Sequence, residues 1–289
     1  MRCVAAIALA TLLALPACTS GGDDGGAASL DSTGSFGALQ MERGANSELP
    51  ELADGKAVLN AVFARYSGLE AEDALELLGV GRAGPETDDC ALVGGQAPVY
   101  PQPDAIVELL DVGDLHVGVA GSRTRLSARM FPELGSLVAG AFYAGHAELA
   151  EARADVDEYQ VLATGGAEVA PFEVVAVAPP APSGVVVDGF VPPEEPVVGR
   201  DRDLEILWDA GDPRDRLDVT LAAGSTAIEC AARDDGMITV PADLVAQLDA
   251  DADARLVLRR VRVQPFDAPG LDVAWADLVA TRTIPLRVR

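Results

Sequence analysis

The sequence predicts a mainly β protein with two tandem β-sandwich domains that follow a signal peptide and a flexible tether. Short apolar segments of strand length recur along most of the chain, and turn signals such as Gly165-Gly166 separate several of them. One proline-rich run at residues 179–183 divides these segments into two groups and is typical of a linker. Apolar residues make up 49% of the chain, which is enough to build folded cores.

The N-terminus predicts a signal peptide over residues 1–17. Arg2 supplies a positive charge, and residues 4–15 form a largely apolar stretch. As a helix these 12 residues would span about 18 Å, whereas the hydrocarbon core of a bilayer is about 30 Å thick. The stretch is therefore too short for a stable transmembrane span.

The run Leu15-Pro16-Ala17-Cys18 resembles the lipobox of bacterial lipoproteins. The resemblance covers only the first residues, up to about Ser20. It implies that the chain is cut before Cys18 and that Cys18 carries acyl chains such as palmitate, which anchor the protein to a membrane of the bacterial cell envelope. Thr19 stands where an Asp would favour the inner membrane, so the resemblance favours the outer membrane. The alternative is an ordinary secretory signal followed by a chance cysteine.

Residues 18–50 predict a lipidated cysteine followed by a disordered tether. This segment is rich in Gly, Ser and Asp, as in residues 20–26. Chains of this composition behave as flexible coils. Such a tether would hold the folded part of the protein off the bilayer surface.

The first predicted domain covers residues 51–178. Val58–Tyr66 fits either a helix or a strand, and the strand-like segments around it favour a strand. Ser67 and Glu70 have capping-box spacing, which predicts a short helix over Ala74–Leu78 that ends at Gly79. The strand candidates that follow are Ile106–Val112, Leu115–Val119, Val138–Tyr143, Tyr159–Thr164 and Phe172–Val177.

The second predicted domain covers residues 184–289. Apolar and polar residues alternate in Leu204–Trp208 and in Leu217–Leu221, which indicates half-buried strands. Ile284–Val288 predicts a final strand, and Pro285 on its outer side is typical of a sheet edge. The cadence of short strands around a buried Trp is similar to immunoglobulin-type and fibronectin-III sandwiches, although no diagnostic motif accompanies it.

A change of phase occurs in the strand predicted around residues 255–263. Leu256 and Leu258 alternate in one phase, whereas Val261 and Val263 alternate in the other. Because alternate residues of a strand point to opposite faces, this slip predicts a β-bulge near Arg259-Arg260.

Two cysteines remain once Cys3 leaves with the signal peptide and Cys18 is lipidated. An exported compartment permits disulfide bonds, so Cys90 and Cys230 can form one. The alternative is a pair of buried free thiols. A bond between them would join the two predicted domains.

Charge and motifs exclude several classes of function. The net charge of −25 repels phosphate backbones, so we expect no nucleic-acid partner. His116 and His146 lack the spacing of metal ligands, and Asp249–Asp253 resembles a calcium loop that lacks the required Gly and Glu. No catalytic, cofactor-binding or metal-binding residue is predicted. Trp275 is a candidate sugar-stacking residue, whereas Trp208 fits a core position.

These observations favour a membrane-anchored envelope protein with a binding or structural role, rather than an enzyme. The partners that we expect are the membrane, through the lipid on Cys18, and an envelope protein or glycan. The alternative is a glycan-directed envelope hydrolase that uses scattered carboxylates.

Overall fold

The structure is a computed structural model that describes residues 33–45, 56–80, 85–93, 105–119, 122–134, 138–148, 158–192 and 196–289. The fold is mainly β, as the sequence predicts, with several sheets whose arrangement is consistent with a β-sandwich. The strands are β1 (Thr33–Ala45), β2 (Lys56–Ser67), β3 (Asp89–Leu92), β4 (Ile106–Leu109), β5 (Leu115–Val119), β6 (Ser122–Arg125), β7 (Ser127–Leu134), β8 (Val138–Glu148), β9 (Glu158–Ala163), β10 (Phe172–Val177), β11 (Val186–Val187), β12 (Val197–Val198), β13 (Leu204–Leu207), β14 (Arg216–Ala223), β15 (Thr226–Arg233), β16 (Met237–Val240), β17 (Asp253–Pro265) and β18 (Val273–Val288). The helices are α1 (Ala71–Leu77) and α2 (Ala242–Val245). No helix among these residues is both long and apolar enough to cross a membrane.

A ten-stranded sheet, called here the large sheet, runs through the described part of the chain. Its order is β15-β14-β17-β18-β1-β2-β4-β8-β7, and β12 pairs with β18 beside this path. The order β10-β9-β5-β6 forms a four-stranded sheet, and β11-β13-β16 forms a three-stranded sheet. The large sheet therefore contains strands from both predicted domains.

Three apolar cores occupy the two faces of the large sheet. On its inner face, residues such as Leu59 and Leu278 pack with Val161 of the four-stranded sheet to form the first core. Further along the same face, Val219 of β14 packs with Ile206 of the three-stranded sheet in the second core. On the outer face, Val62 and other residues pack with α1 to form the third core. Alternation along each strand produces this division, because successive side chains point to opposite faces.

The predicted tether extends too far along the chain. Residues 33–45 form β1, which pairs in parallel with β18 and antiparallel with β2, and which buries Phe36 and Leu39. A Cβ atom at Gly37 would lie 2.9 Å from side-chain atoms of Leu271 and Phe63. Glycine here admits neighbouring side chains close to the backbone, whereas composition alone indicated flexibility. The rest of the predicted tether, Cys18 and the signal peptide lie outside the described residues.

The division into two domains at residues 179–183 is not confirmed. Ala274 and Leu278, which follow this run, share the first core with Leu59 and Phe63, which precede it. All the described residues belong to one compact unit. Residues 178–183, called here the proline segment, receive hydrogen bonds from arginines of the large sheet: Arg43 to the Pro179 carbonyl at 2.8 Å, Arg260 to Pro180 at 3.2 Å and Arg282 to Pro182 at 3.1 Å.

Local predictions in the first half of the chain have mixed outcomes. Val58–Tyr66 lies within the strand β2, so the preference for a strand is confirmed. The predicted capping box is wrong, since Ser67 is the last residue of β2 and Glu70 caps α1 without a side-chain hydrogen bond. Gly79 follows the helix with φ of 67°, a conformation that glycine adopts without steric cost.

The predicted β-bulge near Arg259-Arg260 is wrong. The ladders of β17 with β14 and with β18 continue without a register shift through this point. Arg260 lies on the same face as Leu256 and Leu258 and is 2% exposed, while Val261 is buried on the other face. The change of hydrophobic phase reflects a buried arginine on one face and, on the other, a buried Val261 followed by an exposed Val263.

The prediction that the final strand lies at a sheet edge is wrong. Strand β18 pairs with β17 along one side, and with β1 and then β12 along the other. Pro285 falls between the last β1 partner, Arg282, and the first β12 partner, Arg287. The proline therefore occupies an interval in which this side of β18 has no ladder partner among the described residues, which explains its presence in an inner strand.

Candidate binding cleft

The outer face of the large sheet carries an open cleft of about 320 Å³. Residues of β1, β14, β15, β17 and β18 form its floor, and Val80 and Pro85, between α1 and β3, form one wall. The charged and polar side chains at the cleft are Gln40, Arg216, Asp218, Thr220, Glu229, Arg259 and Asp277. Its size lies at the lower end of the range of small-molecule sites, which is roughly 300–1,000 Å³.

Strand alternation places these side chains in the cleft. In β14, Leu217 and Leu221 enter the second core, and the intervening Asp218 and Thr220 line the cleft. Arg259 of β17 lies directly opposite Asp218 in the ladder between the two strands. The cleft floor is therefore built on paired strands that are fixed from behind by an apolar core.

Arg259 of the cleft floor forms an ion pair with Glu42, which is not itself a lining residue. Arg259 Nη2 donates to Glu42 Oε2 at 2.5 Å and Nε donates to Oε1 at 3.1 Å, while the Thr281 hydroxyl donates to Oε1 at 2.7 Å. Burial works against the charge of Arg259, but the hydrogen bonds to Glu42 and the charges of Glu42, Asp218 and Glu229 outweigh it and raise its pKa. Arg259 thus stays charged, and its charge is matched within the protein.

A second ion pair joins Arg216 and Asp218 at the same floor. Arg216 Nη2 donates to Asp218 Oδ2 at 2.7 Å, and both side chains are about one-third exposed, at 31% and 29%. Both arginines of the cleft therefore have carboxylate partners from this chain. Surface-type pairs of this kind add little stability, so we interpret them as setting the polarity of the floor.

Trp275 lies on the outer face, two residues before the cleft residue Asp277 in β18. It stacks on Phe36 with ring centroids 5.8 Å apart, and its indole Nε1 donates to the cleft residue Asp277 at 3.3 Å. Trp275 is half-buried against the third core. Trp208, in contrast, is buried in the second core, where its Nε1 donates to Asp234.

The predicted bond between Cys90 and Cys230 is present in the structure. It joins β3 to β15, and Cys230 also lines the cleft. Residues 85–93, called here the β3 segment, are further attached by backbone hydrogen bonds from Asp88 to Ala231 and from Val93 to Ala227. The segment buries little of itself, since Cys90 is the one half-buried residue of β3 and the other three are exposed. Apolar packing therefore contributes little to holding this wall of the cleft, and the disulfide bond attaches it to β15.

Three carboxyl groups that do not line the cleft have displaced pKa values. In the part of the chain that the structure describes, these are Asp88, Asp111 and Asp212, and each pKa is lowered. Hydrogen bonds from Arg233, Tyr143 and Arg214, respectively, are the main causes. A general acid needs the opposite displacement, so these residues are unsuited to protonating a leaving group near neutral pH.

The remaining residues that the sequence singles out do not converge. His116 is half-buried in β5, opposite Arg125, and His146 belongs to β8. Among the described residues, no three His, Cys, Asp or Glu side chains come together as a metal site. Asp249 accepts a hydrogen bond from the Ser225 backbone at 2.8 Å, which is a role in a turn.

Sequence reasoning missed the cleft residues. The signal available was the alternation of Arg216, Asp218 and Thr220 with buried apolar residues in β14. That pattern indicates an exposed strand face, but it does not show that β1 would lie three strands away on the same floor. The comparisons add no relative: no model of a known protein family matches the chain, and no curated protein is significantly similar to it.

Proposed function

We propose that this chain is a lipid-anchored bacterial envelope protein with a non-catalytic binding role, and that the cleft on the outer face is its ligand site. The lipobox-like run that ends at Cys18 supports the anchor, and the cleft supports the binding role. The main observation in favour of the binding role is that the cleft floor presents a fixed set of hydrogen-bond donors and acceptors on five strands. A concave site with few, well-placed polar groups is typical of ligand binding.

Binding fits the cleft better than hydrolysis. A carboxylate hydrolase needs one carboxyl group that donates a proton beside one that stays ionised. Asp218 instead accepts a hydrogen bond from Arg216, and Glu42 accepts hydrogen bonds from Arg259 and Thr281, so neither carboxyl group is arranged as a proton donor. The glycan-directed hydrolase, which would use scattered carboxylates, remains the alternative.

The anchor is tested by lipid labelling. Cells that express the full chain are fed a palmitate analogue, and the wild type is compared with Cys18→Ala. We expect label on the wild-type protein, in the membrane fraction, and no label on the variant. An unlabelled, soluble wild-type protein would refute the anchor.

The binding role is tested on the full-length Cys18→Ser protein, which lacks the acceptor for lipid. We expect it to bind a ligand without turnover of glycan, peptide or ester substrates. Turnover that Glu229→Gln or Asp277→Asn abolishes, with the melting temperature unchanged, would overturn the proposal in favour of the hydrolase.

A further inference from the structure

We propose that the ligand of the cleft is a neutral glycan, a short stretch of an uncharged sugar chain with its hydroxyl groups on the floor and a sugar ring beside Trp275. This inference rests on the proposed binding role of the cleft and adds the chemical class of the ligand. It follows from the charges of the floor, from its hydrogen-bonding groups and from the position of the aromatic ring.

The charges of the floor disfavour an anionic ligand. Arg259 is matched by Glu42, and Arg216 by Asp218, at distances of 2.5 Å and 2.7 Å. An anionic ligand would have to displace a carboxylate from an arginine, and it would also approach the carboxylates of Glu229 and Asp277 in the cleft lining. The net charge of −25 adds a long-range penalty for polyanions. A neutral ligand avoids both of these penalties.

The floor offers donors and acceptors side by side. Glu229 lies opposite Thr220 in the ladder of β14 and β15, and Gln40 lies opposite Asp277 in the ladder of β1 and β18. Carboxylates accept hydrogen bonds, guanidinium groups donate them, and hydroxyl and amide groups do both. A sugar hydroxyl also donates and accepts, so a row of hydroxyl groups matches a floor on which both kinds of group alternate.

Trp275 supplies the apolar surface that a sugar ring requires. Its ring is held by Phe36 on the side of the third core, and its Nε1 is fixed by Asp277. A pyranose ring has apolar faces and a polar rim, so it can cover an indole while its hydroxyl groups reach polar neighbours. Trp275 and Asp277 are two residues apart on β18 and therefore project from the same face.

The test is a titration of the full-length Cys18→Ser protein with uncharged oligosaccharides (gluco-, manno- and galacto-oligomers) and, separately, with uronic acid oligomers and amino acids. Binding is measured by calorimetry and by tryptophan fluorescence. We expect saturable binding of at least one uncharged oligomer, with a fluorescence change that Trp275→Phe removes, because Trp208 is buried in the second core.

Two cleft variants and one control locate the binding. Glu229→Ala and Gln40→Ala should each weaken the affinity at least tenfold. Glu205→Ala removes an exposed acid from β13, outside the cleft, and should leave the affinity unchanged. Melting temperatures of all variants exclude unfolding as the cause.

The outcomes separate the two proposals. Cleft-dependent binding of uronic acids or amino acids, without binding of uncharged oligomers, would overturn the glycan inference and keep the binding role. Binding that ignores Glu229→Ala and Gln40→Ala would overturn the cleft as the site. The absence of binding to every class would overturn both.

Discussion

Arg260 is a buried charge whose partners come from separate parts of the chain. Its Nε lies 2.7 Å from Asp234 Oδ2, with the two side chains 2% and 0% exposed, and its Nη2 donates to Asp234 Oδ1 at 3.0 Å. Arg260 also donates to the carbonyl oxygens of Asp209 and Pro180. A buried guanidinium with partners in three segments fixes the positions of those segments.

We expect Arg260→Met to destabilise the protein by about 3–5 kcal/mol, because it leaves the carboxylate of Asp234 buried without its cation. The double variant Arg260→Met/Asp234→Leu should recover part of this loss. Arg255→Met, at an exposed position of the same strand, is the control. Urea unfolding measures all three, and a loss below about 1 kcal/mol in Arg260→Met would contradict the interpretation.

Tyr143 and Asp111 form a second pair that responds to pH. The Tyr143 hydroxyl donates to Asp111 at 2.7 Å and accepts from the Val112 N–H at 2.9 Å. Burial, together with the bond to Asp111, raises the pKa of Tyr143. The bond from Tyr143, with that from the Gly113 N–H, lowers the pKa of Asp111.

These displacements predict losses of stability at both ends of the pH range. The lowered pKa of Asp111 stabilises the fold above about pH 4, and this contribution is lost as the pH falls through the folded-state value. The raised pKa of Tyr143 stabilises the fold below about pH 10, and this contribution is lost as the pH rises further. Tyr143→Phe should flatten both limbs of a urea-unfolding pH profile and cost about 1–3 kcal/mol at neutral pH. An unchanged profile would refute the coupling.

At the scale of elements, β1 is the clearest case of a strand that the Gly- and Ser-rich composition of its segment does not predict. Gly37→Val should destabilise the protein by about 1–3 kcal/mol, because the new side chain meets Phe63 and Leu271 in the packed first core. Gly25→Val, in the part of the predicted tether that precedes β1, is the control and should have no effect. Thermal unfolding measures both variants, and equal melting temperatures would contradict the packing role of Gly37.

The β3 segment depends on its disulfide. The bond spans 140 residues, and closing a loop of this length stabilises a protein by roughly 2–5 kcal/mol. We expect Cys90→Ser/Cys230→Ser to lose stability in that range, and residues 85–93 to exchange amide hydrogens faster. Reduction of the wild type is the matched comparison, and slow exchange in the reduced protein would show that other contacts suffice.

At the scale of the whole molecule, the inner face of the large sheet supports both the first and the second core. The proline segment is held by Arg43, Arg260 and Arg282, and Gln264 Nε2 donates to the Val175 carbonyl at 2.7 Å just before it. These bonds attach the segment to β1, β17 and β18. A flexible hinge would lack such contacts.

We therefore expect one cooperative unfolding transition. Calorimetry and fluorescence should give coincident melting curves, and residues 184–289 expressed alone should not fold, because strands β17 and β18 would lose β1 and the first core. Two separate transitions, or a folded fragment with its own sharp melting curve, would support the two-domain interpretation.

The sequence by itself determined the strand content, the phase of most strands and the candidate partners of a disulfide. Period-two alternation identified strands such as Leu115–Val119 and Phe172–Val177, because half-burial leaves a local trace. Cysteine counting indicated Cys90 and Cys230, because the predicted signal peptide and lipidation leave two cysteines, which allow one bond.

Only the tertiary structure decided which strands are neighbours and which residues form the cleft. The parallel pairing of β1 with β18 joins distant parts of the chain, such as Phe36 and Val273, and no local pattern encodes that pairing. For the same reason, local patterns predict a β-bulge near Arg260 and a flexible tether over residues 33–45, and both predictions are wrong. Burial of a charge and tight packing around glycine are properties of the partners, which lie elsewhere in the chain.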